Sequence, residues 1–166
     1  MQILPETDVA ELLDRLVEDQ VPGRRGFEAW RSLLRAHATL MRQLDTDLER
    51  ETGLALADFD VLAQLAAAHG ELRVTELAAR ALISRSGMSR RVARLVDEGL
   101  VRRDRAGTDA RGVVVGLTGA GIARLAETAP VHVRGISKLF VAPLDDQELA
   151  LLERVLKKVI VDCSFG

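Results

Sequence analysis

A chain of 166 residues fits one compact domain, or a small domain with a helical appendage, and is long enough to bury a core. Hydrophobic residues make up 48% of it, but aromatics are only 3% and Tyr is absent, and a chain built on Leu, Ala and Val favours helix. No apolar run approaches the ~20 residues that span a membrane, the first residues are too acidic for a signal peptide, and a single Cys excludes an internal disulfide, so a cytoplasmic location is expected.

The net charge of −2 argues against nucleic acid only as an average. Between Leu72 and Val113 there are ten Arg against five Asp and Glu, whereas the remainder carries thirteen Lys and Arg against twenty Asp and Glu. A basic segment inside an acidic chain is the asymmetry expected when one face meets phosphate and the others must not. Its bland alternative is a solvated helix with surplus arginine.

The elements follow in order. Val9, Leu12, Leu13, Leu16 and Val17 form one helical stripe over Thr7 to Gln20, stopped by Pro22, Gly23 and Gly26, which makes residues 1–26 an extension with a short amphipathic helix. Phe27 to Glu51 reads as a long helix with Phe27, Trp30, Leu33, Leu34, Leu40, Met41, Leu44 and Leu48 at steps of three and four, and Gly53 as its C-cap. Asp58 to His69 repeats the period and ends at Gly70. Leu72 to Val74 is long enough for one edge strand and no more.

Thr75 is expected to cap the next helix, with Leu77, Ala78, Ala81 and Leu82 inward, and Ser84 the helix after it, with Met88, Val92, Leu95 and Val96 buried. Ser86, Ser89, Arg90, Arg91 and Arg94 lie off that stripe, and Gly99 ends the helix. Two helices of about eight and fifteen residues with roughly two between them make a helix-turn-helix. Small polar side chains at the start of the second helix let its backbone approach bases, and arginines further along reach guanine edges or phosphates. The alternative is an ordinary helical hairpin. Leu100-Val101 and Val113-Val114-Val115 then flank a loop, from Arg105 to Gly112, with two Gly and two Arg, which reads as a β-hairpin with a charged tip. Asp109 is placed to brace Arg111, and an arginine in such a wing suits the narrow, negative minor groove. The alternative is a surface hairpin with an exposed ion pair.

Helix resumes near Ala120, with Pro130 expected to interrupt it, a second segment from Val133 to Phe140, and Pro143 closing it. The last helix starts at Asp145, with Glu148 at capping-box spacing, and its inner face is Leu149, Leu152, Leu156 and Val159.

From about Trp30 to Val159 the chain resembles the MarR family of bacterial transcriptional regulators. The residues that carry the resemblance are Gly53-Leu54 with Phe59-Asp60-Val61-Leu62; Thr75-Glu76-Leu77-Ala78; Ser84 to Ser89; Arg94-Leu95-Val96 with Gly99-Leu100-Val101; and Asp109-Ala110-Arg111-Gly112 followed by Leu117-Thr118 and Gly121. It implies a mainly α fold: a winged helix-turn-helix lobe over 54–118 with a two-stranded β wing, and dimerisation helices over 27–53 and 119–166. It implies a homodimeric repressor on a pseudo-palindromic double-stranded DNA operator, released by a small aromatic or phenolic effector. Carried over by position, Ser84, Ser86, Gly87, Ser89, Arg90 and Arg94 address the major groove and its phosphates, and Arg105, Asp109 and Arg111 form the wing's contribution.

For the effector, Trp30 and His37 lie seven apart on one helix face and Phe59 opens the next helix, an aromatic wall with one polar group. The alternative is that all three are plain core or interface. Thiol sensing would have to use Cys163, near the C-terminus. A metal site needs clustered ligands, and His37, His69 and His132 are far apart in the sequence. No phosphate loop, nucleophile elbow or metal motif suggests an enzyme or a cofactor. A helical protein-interaction module without DNA affinity is the remaining alternative.

Overall fold

The computed structural model describes residues 15, 24–81, 83–105 and 113–164. The stripe expected on residues 9–17, Leu82 and the wing tip with Asp109 and Arg111 lie outside these residues. The chain divides into two compact units, residues 1–42 and 43–166. Helix α1 (Arg24–Thr52) runs through that boundary rather than ending at it. In the first unit the expected apolar positions keep their helical spacing, yet Trp30, Leu33, Leu34 and Met41 are exposed. In the second unit α1 enters the core through Leu44 and Leu48.

Helix α1 stops at Gly53, whose φ of 71° only a residue without Cβ adopts at low cost. Helix α2 (Leu56–Ala67) begins two residues before Asp58 and has no side-chain cap of its own. Asp45 of α1 supplies one from outside, its carboxylate accepting the Leu56 N–H at 2.7 Å. Three short strands follow, interleaved with helices: β1 (Glu71–Arg73), β2 (Val101–Arg105) and β3 (Val113–Leu117). They form an antiparallel sheet in the order β1-β3-β2, with Leu72 opposite Val115 and Arg103 opposite the same Val115. The wing hairpin is thus extended to three strands by the edge strand expected near Leu72.

Helix α3 (Val74–Arg80) begins two residues earlier than a Thr75 cap would allow. Arg73 stands at the N-cap in extended conformation, and Glu76 reaches back so that its carboxylate accepts the Arg73 N–H at 3.0 Å. Thr75 is therefore inside the first turn, because β1 delivers the chain to the helix already extended at Arg73. Helix α4 (Arg85–Asp97) follows after four residues rather than two. Leu77, Ala78, Met88, Val92 and Leu95 are buried as expected, while Ala81 and Val96 are only half-buried. Gly99 at φ 72° ends α4 in a Schellman turn: its N–H donates to Val96 O and the Leu100 N–H to Leu95 O.

Helix α5 (Gly119–Ile136) corrects the expectation for Pro130, since it runs unbroken through that residue. A proline forfeits one backbone hydrogen bond. Here Leu125, Ala129 and Val131 pack on the core on both sides of it, and that burial outweighs the lost bond. A π-helical turn, Ser137–Val141, continues α5, with the Ala142 N–H donating to Ser137 O at 2.8 Å. Helix α6 (Asp146–Ser164) carries the expected capping box in full: Asp145 accepts the Gln147 and Glu148 N–H groups, and Glu148 accepts that of Asp145. Its expected inner face is only partly covered. Leu149, Leu152 and Leu156 are half-buried, whereas Val159 is exposed together with Leu151, Val155 and Ile160.

Candidate nucleic-acid interface

The amphipathic pattern of α4 determines which of its side chains face outward. Met88, Val92 and Leu95 occupy one stripe against α2, α3 and the sheet. Ser84 caps the helix as expected, its hydroxyl accepting the Gly87 N–H at 3.1 Å. That hydroxyl also lies 3.2 Å from the Ser86 hydroxyl, so the two serines are linked at the tip of the helix. Gly87 is half-buried, and a Cβ on it would sit 3.1 Å from the Ser84 hydroxyl, so the tight first turn favours glycine. Ser86 and Arg90 are exposed one turn apart, and Ser89 is half-buried beside them.

Ser89 faces a cleft of about 230 Å³ lined also by Arg73, Val74, Thr75, Arg85, Arg103 and Val113. Three arginines, from β1, α4 and β2, thus line one cleft beside the start of α4. Among the described residues no acidic side chain pairs with Arg85, Arg90 or Arg103. The alternation of β2 separates the two adjacent arginines. Arg103 lines the cleft, while Arg102 crosses the central strand over Gly116 to meet Glu71 at 3.1 Å and Asp104 at 3.0 Å. A Cβ at Gly116 would lie 2.1 Å from the Arg102 guanidinium, so glycine opens that path.

Arg94 is half exposed but already paired within the protein. Its guanidinium meets both carboxylate oxygens of Asp58 on α2, and Arg91 meets the same carboxylate at 2.8 Å. Asp58 is 5% exposed, the most deeply buried acidic group among the described residues. Its hydrogen bond and then its charge raise the Arg94 pKa above the usual arginine value. Neither the Asp58 partnership nor the arginine cleft is visible in local spacing, because each joins residues from separate elements.

The sequence profile of the MarR family matches residues 52–112. Sco3205, a MarR family transcriptional regulator from Streptomyces coelicolor solved in complex with DNA, is 34% identical; the match covers 84% of this chain and 91% of that one, with a TM-score of 0.77. The chain belongs to the MarR family of transcriptional regulators. AbsC, another MarR family transcriptional regulator from Streptomyces coelicolor, is 28% identical over 89% of this chain and 99% of its own, with a TM-score of 0.79. BpsR from Bordetella bronchiseptica, whose DNA binding is regulated by 6-hydroxynicotinic acid, shares the fold at 22% identity, covering 80% of this chain and 98% of its own with a TM-score of 0.71.

This MarR family regulator is therefore a DNA-binding winged-helix protein, and α4 is the second helix of its helix-turn-helix. The side chains expected to meet an effector are placed differently from one another. Trp30, 54% exposed, and His37, also exposed, lie on α1 in the first unit. Phe59 is buried in the second unit, its ring 4.6 Å from that of His132 on α5. Burial pushes the His132 imidazole below its usual pKa, opposed by the charge of Asp60, and its Nδ1 has no hydrogen-bond partner among the described residues. The Arg105 and Cys163 side chains lie outside what is described. Among the described residues no three His, Cys, Asp or Glu are grouped to hold a metal, and no helix is long and apolar enough to cross a membrane.

Proposed function

We propose that this MarR family regulator works in the cytoplasm as a homodimeric repressor that sets two copies of α4 in successive major grooves of a pseudo-palindromic operator. The observation that carries the reading is the outward face of α4, with Ser86 and Arg90 exposed beside the cleft of Arg73, Arg85 and Arg103. Serines let the helix approach base edges, Arg90 reaches guanine, and the cleft arginines hold backbone phosphate. The exposed apolar side chains of the dimerisation helices support the dimer. Trp30, Leu33 and Leu34 stand exposed on α1, as do Leu151, Val155 and Val159 on α6. Helix α6 and the preceding turn also leave an open apolar groove lined by Phe140, Leu149, Leu152 and Leu156. A two-fold dimer would read half-sites about 34–36 Å apart. In the wing, Arg105 and the Asp109–Arg111 pair complete the contact at the minor groove.

Selection of bound duplexes from genomic DNA tests this reading. An inverted repeat is expected from the parent protein. Ser86→Ala and Arg90→Ala are expected to shift or relax the selected sequence, at a cost of about 1–3 kcal/mol of discrimination for a lost bidentate contact. An identical selected sequence from both variants would remove α4 from base reading.

The effector proposed is a small hydroxylated aromatic acid or phenol, supported by the ligand of BpsR, with Trp30, His37 and Phe59 as its contact residues. Titration of the operator complex with 6-hydroxynicotinic acid and with simple phenols should release the parent protein. His37→Ala should require more ligand for the same release while binding operator normally without it. Equal release curves for the two proteins would remove His37 from the effector site.

A further inference from the structure

Two of the four arginines on the recognition helix are held by Asp58. Helix α4 carries Arg85, Arg90, Arg91 and Arg94, and the buried Asp58 carboxylate meets Arg91 at 2.8 Å and Arg94 through both its oxygens. A buried carboxylate requires such partners, since an unpaired charge in the interior is strongly disfavoured. The reverse consequence concerns DNA. Arg94 lies one helical turn beyond the exposed Arg90, and its side chain is still 52% exposed, so a guanidinium released there could reach a phosphate on the same face. Asp58 therefore occupies, inside the protein, the place that a phosphate would take on two arginines of the reading helix. It also fixes the rotation of α4 on α2, which determines the outward placement of Ser86 and Arg90.

We infer that Asp58 is a positioning and specificity-determining residue: it withholds Arg91 and Arg94 from the DNA backbone and so widens the gap between operator and random duplex. Phosphate contacts add affinity for every sequence alike, whereas base contacts discriminate. Freeing two cations on the reading helix raises the first without the second. The inference rests on the proposed reading by α4 and its failure is separable from failure of that reading.

The test compares the selected operator with a scrambled duplex of equal length, following binding by fluorescence anisotropy across a salt series. Asp58→Asn is expected to bind the scrambled duplex more tightly at low salt. The slope of log K against log salt should steepen by about 0.9 for each arginine released. The ratio of operator to scrambled affinity should fall about tenfold. The triple variant Asp58→Asn with Arg91→Gln and Arg94→Gln should return the slope to its parental value, because the added phosphate contacts come from those two side chains. A purely structural role for Asp58 would lower thermal stability and leave slope and ratio unchanged, which overturns the inference. If Asp58→Asn fails to fold, the triple variant, which leaves no unpaired charge, decides: a slope shallower than the parental one by about 3.6, about 0.9 for each of the four arginines in the proposed dimer, would place the arginines on phosphate already and overturn it. Absence of salt-dependent duplex binding by the parent protein would instead overturn the DNA reading itself.

Discussion

Gly121→Ala is expected to destabilise the winged-helix unit by about 3–5 kcal/mol, an overpacking clash compounded by a lost cap and its hydrogen bonds. A Cβ at Gly121 would fall 2.0 Å from the carbonyl oxygen of Leu100 and 3.1 Å from its carbonyl carbon, and backbone cannot swing aside as a side chain does. The contact closes a compact joint. Thr118 caps α5 by accepting the Gly121 N–H at 3.0 Å, and its hydroxyl donates to the carbonyls of Gly99 and Leu100 at 2.7 and 3.0 Å. The Thr118 N–H donates to Leu100 O as well. The end of α4, the start of β2 and the start of α5 are therefore fastened at one point. To admit a methyl group the Gly99–Leu100 corner must retreat, and those bonds lengthen together. Gly119→Ala, two residues earlier on the same helix, is the control, because nothing lies within 4 Å of its added Cβ. It should be neutral or slightly stabilising, since alanine is the better helix former. Denaturant unfolding of the two variants provides the comparison, and equal midpoints would show that the corner yields freely.

The joint at Gly121 also shows which parts of the fold were legible in the sequence. The restart of helix near Ala120 was readable because the Thr118 cap and the Gly121 N–H it accepts are three residues apart. The Ser84 cap, the Asp145–Glu148 box and the stops at Gly53 and Gly99 were readable for the same reason: donor and acceptor, or the residue and the φ it must adopt, lie within one turn. Errors arose where a distant partner overrode the local signal. Pro130 has the chemistry of a helix breaker, but the burial of Leu125, Ala129 and Val131 carries α5 through it. Thr75 has the chemistry of a cap, but the pairing of Arg73 with Val114 in the sheet moves the N-cap of α3 back to Arg73.

The site divides in the same way. The outward set on α4 followed from periodicity, since a stripe of Met88, Val92 and Leu95 leaves Ser86 and Arg90 on the other side. The cleft was not legible, because Arg73, Arg85 and Arg103 come from β1, α4 and β2 and meet only when the sheet forms. Arg94 illustrates the limit most directly. Its spacing along the helix suits a phosphate contact, but its partner Asp58 lies 36 residues earlier in the sequence. An acid in the first turn of α2, before Phe59, was the available signal, and only the tertiary structure identifies the cations it binds.

The other large effect expected is on affinity. Binding of the proposed dimer to duplex DNA should fall by roughly 10³-fold between 50 and 200 mM salt, for about six phosphate contacts at a slope near −0.9 each. The contacts counted are Arg85, Arg90 and Arg103 from each protomer, none of which has an acidic partner among the described residues. Overall charge would predict the opposite, since the chain is −2 and a uniformly acidic surface repels DNA at low salt most of all. Steep weakening with salt is therefore a signature of charge arranged on one face. Arg85→Ala combined with Arg103→Ala removes four of the six cations from the dimer. The same salt change should then cost only about tenfold, by the same slope. Because these two arginines line the cleft, while Ser86 and Arg90 are the side chains proposed to read bases, the sequence preference of the double variant should persist where binding is still measurable. A helical interaction module without DNA affinity would show little duplex binding at any salt, and a double variant with the parental slope would move the phosphate contacts away from the cleft.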